Sequence, residues 1–286
     1  MLCYEFSLFL SVGSLIQLPI GHHAVYKWAN ILHQDVSPNN IMFYRSEEEG
    51  VVGVMCDWDL AVHHASPISM DTIVNDLIRS YIGPSELSLY GFETVPAGTQ
   101  SIQPSNDSPS SNADVPLQQV PRYRTGTGPF MALDILTYLN TPQHLYRHDL
   151  ESFFWVFLGF VCSFLPAEKR LGSVVDWLHG DLHSIGDAKI ATLMQPSRLN
   201  QIKNHASDEY KDYFDRPMGL LMKIIRKVKV AHDLLLIEEY DEWLAAKKAG
   251  DEEQLKEILE VIQEKVAARE QILTYETFLK CFGETP

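Results

Sequence analysis

The chain has no excess of basic residues. Its 23 Lys and Arg stand against 38 Asp and Glu, for a net charge of −15. Nothing in that balance would displace counterions along a phosphate backbone, which argues against a nucleic-acid partner. Cysteine is scarce. Cys3, Cys56, Cys162 and Cys281 are scattered in mostly apolar surroundings, without a C-x-x-C pair. That usage reads as reduced thiols in an intracellular protein, cytoplasmic or nuclear. The pairs His22-His23 and His63-His64 lack partners at metal-ligand spacing. Long hydrophobic runs are missing too. Phe153 to Ala167 is uncharged but shorter than the roughly 20 residues a membrane span needs, so it reads as a buried core helix. Phe6 to Ile20 follows Glu5, has no basic start and contains Gln17 and Pro19, so it makes a poor signal peptide. No membrane association is expected. Between residues 99 and 120 there is no Lys, Arg or aromatic residue, while five Ser and three Pro occur. Such a composition cannot bury enough surface to offset its ordering entropy and reads as a flexible insert.

What is present supports a sizeable core: 286 residues, 45% of them hydrophobic. Residues 1–20 carry no clear pattern. Ala24, Val25, Trp28 and Ile31 recur at helical spacing and predict a helix over Gly21 to Ile31. Ile41 to Tyr44 and Val51 to Met55 read as two strands joined by the acidic turn Glu47-Glu48-Glu49-Gly50. Ile73, Leu77, Ile78 and Tyr81 predict a helix over Asp71 to Tyr81. Beyond Pro166 the chain reads as mostly helical. Leu220, Leu221, Ile224, Ile225 and Val228 mark one amphipathic helix, and Leu255, Ile258, Leu259, Ile262 and Val266 another. The basic cluster Lys223, Arg226, Lys227 and Lys229 reads as a solvated face of the first.

The stretch His33-Gln34-Asp35-Val36-Ser37-Pro38-Asn39-Asn40 carries the chemistry. A carboxylate, Asp35, precedes a carboxamide, Asn40, by five residues, and a second carboxylate, Asp57, closes the apolar strand that follows. This is a phosphoryl-transfer arrangement. Asp35 is placed to accept the proton of an attacking hydroxyl. Asn40 and Asp57 offer hard oxygen donors to Mg²⁺ held against phosphates. The hairpin between them brings Asn40 and Asp57 to one end.

These residues resemble the catalytic loop H-R-D-x-x-x-x-N and the metal-binding D-F-G of protein kinases. Further on, Gly126-Thr127 to Asp134 resembles the segment that ends a kinase activation loop. Arg147-His148-Asp149-Leu150-Glu151-Ser152 resembles the start of the kinase central helix. The wording Arg-Thr-Gly-Thr-x-Pro-Phe-Met-Ala with His-Asp-Leu-Glu-Ser-Phe-Phe is most similar to the fungal-type protein kinase family, over about residues 21–165. The resemblance implies a mainly α fold with a small β component, a kinase C-lobe formed as one domain over residues 1–286. It places the 99–120 insert within the activation segment. It implies a protein Ser/Thr kinase using ATP and Mg²⁺ on a protein substrate. In those terms Asp35 is the catalytic base, Asn40 and Asp57 are the metal ligands, Met42 is the apolar floor under adenine, and Thr127 stands beside the substrate hydroxyl. Asp149 would pin the catalytic-loop backbone, and Asp134 would pair with an Arg that the sequence does not identify.

The departures are informative. Gln34 replaces the usual Arg, Ser37 a frequent Lys, and Asp59 the Gly of D-F-G; the last two are usual in the fungal-type family. Only 32 residues precede His33, whereas five strands, a helix and their loops need roughly 70. Neither G-x-G-x-x-G nor V-A-I-K is present. The expectation is therefore a C-lobe without most of its N-lobe, with an apolar upper face that a partner would cover. A non-catalytic, pseudokinase-like interaction module is the alternative. An aminoglycoside- or choline-type phosphotransferase also has D-x-x-x-x-N before an apolar strand and Asp, but it lacks the Thr127 to Asp134 and His148 to Ser152 wording.

Overall fold

The computed structural model describes residues 12–48, 50–63, 68–80, 82, 124–138, 140–165, 170–171 and 175–285. The 99–120 insert lies outside them. Helix α1 (Val12–Ala29) leads into strand β1 (Ile31–Leu32), and a 3-10 turn over Pro38–Asn40 opens β2 (Ile41–Ser46), followed by β3 (Gly50–Met55) and β4 (Val62–His63). Helices α2 (Met70–Arg79), α3 (Leu133–Thr137) and α4 (Tyr146–Ser163) follow. Then come β5 (Phe164–Leu165) and β6 (Arg170–Leu171). The C-terminal part holds α5 (Leu182–Met194), α6 (Pro196–His205), α7 (Gly219–Ala249), α8 (Glu252–Glu270) and α9 (Tyr275–Cys281). The strands form three separate antiparallel pairs, β1 with β4, β2 with β3, and β5 with β6. The fold is thus mainly α with a small β component, as the sequence predicts.

Helix α4 is the centre. Every residue from Arg147 to Ser163 is buried, which explains a segment apolar on all sides. Trp155, Phe153, Phe154 and Phe157 are enclosed there, with Trp177 edge-on to Trp155 at 5.6 Å. A second, smaller core joins α2 to α7 and α8 through Leu77, Ile78, Leu235, Trp243 and Ile262. Helices α7 and α8 form an antiparallel pair reversed at Gly250, whose φ of +70° is the left-handed conformation that glycine adopts without penalty.

Three local expectations are corrected. Helix α1 begins at Val12 rather than at Gly21 and runs through Pro19. Burial of Ile16 and Leu18, with the Gln17 side-chain oxygen Oε1 accepting the Gly53 N–H at 3.2 Å, outweighs the missing proline donor. The helix stops before Ile31 because Asn30 turns left-handed (φ 51°), which leaves Ile31 in β1. Trp28, expected on the packed face, is 85% exposed. Helix α2 matches its prediction to within two residues, with the Ser69 hydroxyl accepting the Thr72 N–H as N-cap; Tyr81 lies outside the described residues.

Candidate active site

The stretch from His33 to Asn40 leaves β1 beside the first turn of α4. Asp149, in the first turn of α4, holds it. One carboxylate oxygen accepts the His33 N–H at 2.9 Å and His22 Nε2 at 2.8 Å. The other accepts the Gln34 N–H at 3.2 Å and His144 Nε2 at 2.8 Å. Burial alone would raise the Asp149 carboxyl, yet the two imidazoles hold it well below the usual carboxylate range. The grip sustains a left-handed Gln34 (φ 66°), a conformation that a non-glycine residue adopts only when its surroundings enforce it.

Asp35 follows at once. Its Oδ1 accepts the Thr127 N–H at 2.7 Å and the Thr127 hydroxyl at 2.8 Å. Its Oδ2 accepts Asn40 Nδ2 at 2.9 Å, and the same amide also donates to the Asp35 carbonyl at 2.9 Å. Thus residues 92 positions apart, Asp35 and Thr127, share one carboxylate oxygen. The approach is close because Gly126 (φ +109°) passes Gln34 so tightly that a Cβ there would lie 2.7 Å from the Gln34 carbonyl oxygen. The Thr125 hydroxyl donates to the Gln34 side-chain oxygen at 3.3 Å, a neutral bond where a kinase with Arg would form a charged one.

Asp57 follows β3, at the same end of the hairpin as Asn40. The Cys56 N–H donates to the Asn40 carbonyl at 2.8 Å, so the chain brings Asp57 to the Asn40 end of β2 and β3. Asp57 is exposed and left-handed (φ 58°). His33 fixes that end: its Nε2–H donates to the Cys56 carbonyl at 2.9 Å while its Nδ1 accepts the Asp35 N–H at 3.3 Å. Burial lowers the His33 imidazole, which favours the neutral tautomer that both bonds require. The Trp58 ring packs 4.6 Å from His33 and donates to the Met55 carbonyl at 3.2 Å. With its amide nitrogen turned to Asp35, the Asn40 side chain leaves its oxygen for other partners. That oxygen and the Asp57 carboxylate are donors of the type Mg²⁺ takes. Met42 pairs with Val54 across the hairpin on its open face, where both are exposed together with Tyr44.

Behind Thr127, the segment is anchored by groups that the sequence reading left unnamed. The Arg partner of Asp134 is Arg147, which forms a buried ion pair with it and donates through Nε to Glu270 at 2.7 Å. Burial would raise Asp134, but the Arg147 guanidinium holds it well below the usual range. Arg269 lies 4.0 Å from the same carboxylate. Arg147 sits inside the recognised Arg-His-Asp-Leu-Glu motif, so only its direction on the helix was illegible. Glu151 Oε1 accepts the Leu133 N–H at 2.9 Å and Trp155 Nε1 at 3.1 Å. Lys189, fully buried on α5, donates to the Met131 carbonyl at 2.6 Å with its Nζ 4.5 Å from the centre of the Trp155 ring. Nothing at the motif level signals Lys189, which looks like an ordinary helix lysine.

Among the described residues no helix is long and apolar enough to cross a membrane. Comparison with curated proteins and with solved structures gives no match. The family model described as fungal protein kinase matches residues 11–74 and 102–162. The first segment carries Asp35, Asn40, Met42 and Asp57, and the second Thr127, Asp134 and most of α4. Over these two matched segments, the chain is similar to the fungal protein kinase family.

Proposed function

We propose that the chain is a protein Ser/Thr kinase domain of the fungal type, with residues 1–286 as one kinase-like domain that transfers the ATP γ-phosphate to a protein hydroxyl. One observation carries this reading. The Asp35 carboxylate is held at once by Asn40 of its own loop and by Thr127 of the segment where a peptide would lie. Asp35 takes the proton of the attacking hydroxyl. Thr127 aligns that carboxylate and stands beside the incoming side chain. Asn40 and Asp57 would hold Mg²⁺, which when bound would neutralise charge on the transferred phosphoryl group. Met42 offers the adenine ring an apolar surface.

A second reading, a binding module without turnover, draws on the open face of Met42, Tyr44 and Val54. These exposed apolar side chains favour a partner that covers them. The two readings separate in a transfer assay with radiolabelled ATP, Mg²⁺ and generic protein substrates, supplied with any partner that covers this face. Asp35→Asn keeps the size of the side chain and, through its one oxygen, the bonds from Thr127, but it gives up the bond from Asn40 and cannot accept the proton. It should lower transfer by at least about 100-fold, the range of a lost general base, while costing only about 1 kcal/mol of stability for the lost hydrogen bond. Equal turnover by Asp35→Asn would remove the enzyme reading. No transfer by the native protein with an intact partner would favour the binding module.

A further inference from the structure

Far along the chain from the loop just described, α7 and α9 meet side by side and leave an open trough of about 790 Å³. None of Asp35, Asn40, Met42, Asp57 or Thr127 lines it. Its floor is a stripe on α7. Leu220, Ile224, Ala231 and Leu234 recur at four-, seven- and three-residue steps, all on one face, for about 21 Å of helix. The ends of the stripe, Leu220 and Leu234, are 42% and 49% exposed. The other face of α7 already has its place in the core, where Leu221, Ile225 and Val228 are buried. Of the stripe, Ile224 packs partly against that core, whereas Leu220 and Leu234 stand outside it.

The rim has a character of its own. Lys223, Arg226 and Lys227 on α7 and Lys280 on α9 line the trough. On a chain of net charge −15, three cations within five residues form a local reversal of sign. Among the described residues no ion pair engages Lys223, Arg226 or Lys227, although the neighbouring Lys229 pairs with Asp233. Fixed positive charge flanking an apolar stripe of about four helical turns matches one shape of ligand. That ligand is a helix with apolar residues at i, i+4 and i+7 and carboxylates on both flanks.

We propose that this trough binds an acidic amphipathic helix of a partner protein. An anionic membrane would meet the same cations, but it is flat where the trough is concave, and the whole-chain charge of −15 opposes it. A short acidic helix meets the local patch, and the charges beyond a Debye length of roughly 10 Å are screened from it.

The test uses the full chain and a hydrocarbon-stapled peptide of about 18 residues, with leucines at the trough spacing and glutamates on both flanks. Fluorescence anisotropy should give a Kd of roughly 10 μM, weakening with salt. The same peptide with lysine flanks should bind at least about tenfold more weakly. The exposed triple variant Lys223→Glu, Arg226→Glu, Lys227→Glu should reverse that preference, and Leu234→Asp should weaken both peptides. No binding, or acidic-peptide binding that the triple variant leaves unchanged, overturns the proposal. So does self-association of the native chain that Leu234→Asp abolishes in light scattering, since the occupant is then a second copy. Sedimentation with phosphatidylserine vesicles that the acidic peptide fails to compete also overturns it, in favour of a lipid surface.

Discussion

His33 and Cys56 are joined by a 2.9 Å hydrogen bond from the imidazole Nε2 to the backbone carbonyl. The other ring nitrogen accepts the Asp35 N–H. One neutral imidazole therefore spaces the loop carrying Asp35 from the strand end carrying Asp57, and a proton on Nδ1 would break the link to Asp35.

Acid should loosen the protein from about pH 6.5 downward. His148 and His232 are pushed down to about 3 by burial, helped by Arg147 and, for His232, by Arg269 against the pull of Asp134. An imidazole whose folded value lies below its unfolded one contributes stability that is present above the unfolded value. That stability is lost as the pH falls toward the folded value. Each of these two histidines contributes a slope of up to about 1.4 kcal/mol per pH unit in that window. Asp134 and Asp149, held low, act in the same direction at lower pH. Denaturant unfolding at several pH values between 8 and 5, about the working range for such a titration, should give a midpoint that falls with pH. A flat or rising midpoint on acidification would contradict the assignment of neutral buried imidazoles.

Arg147→Met should cost about 3 kcal/mol, because it takes the close guanidinium from buried Asp134, while Glu270 keeps its bonds from Arg269. Arg147→Lys should recover only part of this, since one ammonium cannot serve both acids with a planar fork. Chemical denaturation measures both. Full stability in the lysine variant would mean that the guanidinium geometry is unimportant.

Gly126→Ala should release the activation segment. Its φ of +109° and the 2.7 Å approach of a Cβ to the Gln34 carbonyl leave no strain-free alanine. A cost of about 1–3 kcal/mol is expected, together with faster proteolysis near Thr127 and lower transfer. An alanine variant with native melting and native protease resistance would show that the contact is not tight in solution.

Magnesium ATP should bind residues 1–286 weakly, with Kd at or above roughly 1 mM, about −4 kcal/mol. Met42 is 52% exposed on an open hairpin face, so it gives adenine one wall among the described residues. Calorimetry should detect little heat, and less with Asp57→Ala. Micromolar affinity that vanishes in Asp57→Ala would mean that further groups close the pocket.

Local spacing made much of this legible. Asp35 and Asn40 are five residues apart, and a 3-10 turn at Pro38 is enough to fold the amide back onto the carboxylate. The hairpin needed only alternation and a turn. Contacts across the chain were harder. Asp134 and Arg147 lie 13 residues apart, but which guanidinium turned inward depended on how α4 is rotated. Trp28 has helical spacing with Val25, yet its side of α1 faces solvent, and periodicity cannot reveal which face of a short stripe a core will use. Residues 1–20 carry no clear pattern, and the helix from Val12 draws on the burial of Ile16 and Leu18, which local spacing does not show.

The burial of α4 on every side bears on how the candidate site comes apart. Amide protons in such a helix exchange with solvent only through opening of the entire fold, whereas surface helices fray on their own. Two hydrogen bonds on Asp149, from the His33 and Gln34 amides, splice that backbone to the slowest-exchanging element. Deuterium uptake at His33 and Gln34 should therefore track uptake in α4 instead of the faster kinetics of neighbouring loops. Such tracking would make the Asp35 loop and the deepest helix one cooperative unit, in which the loop melts only with the protein around it.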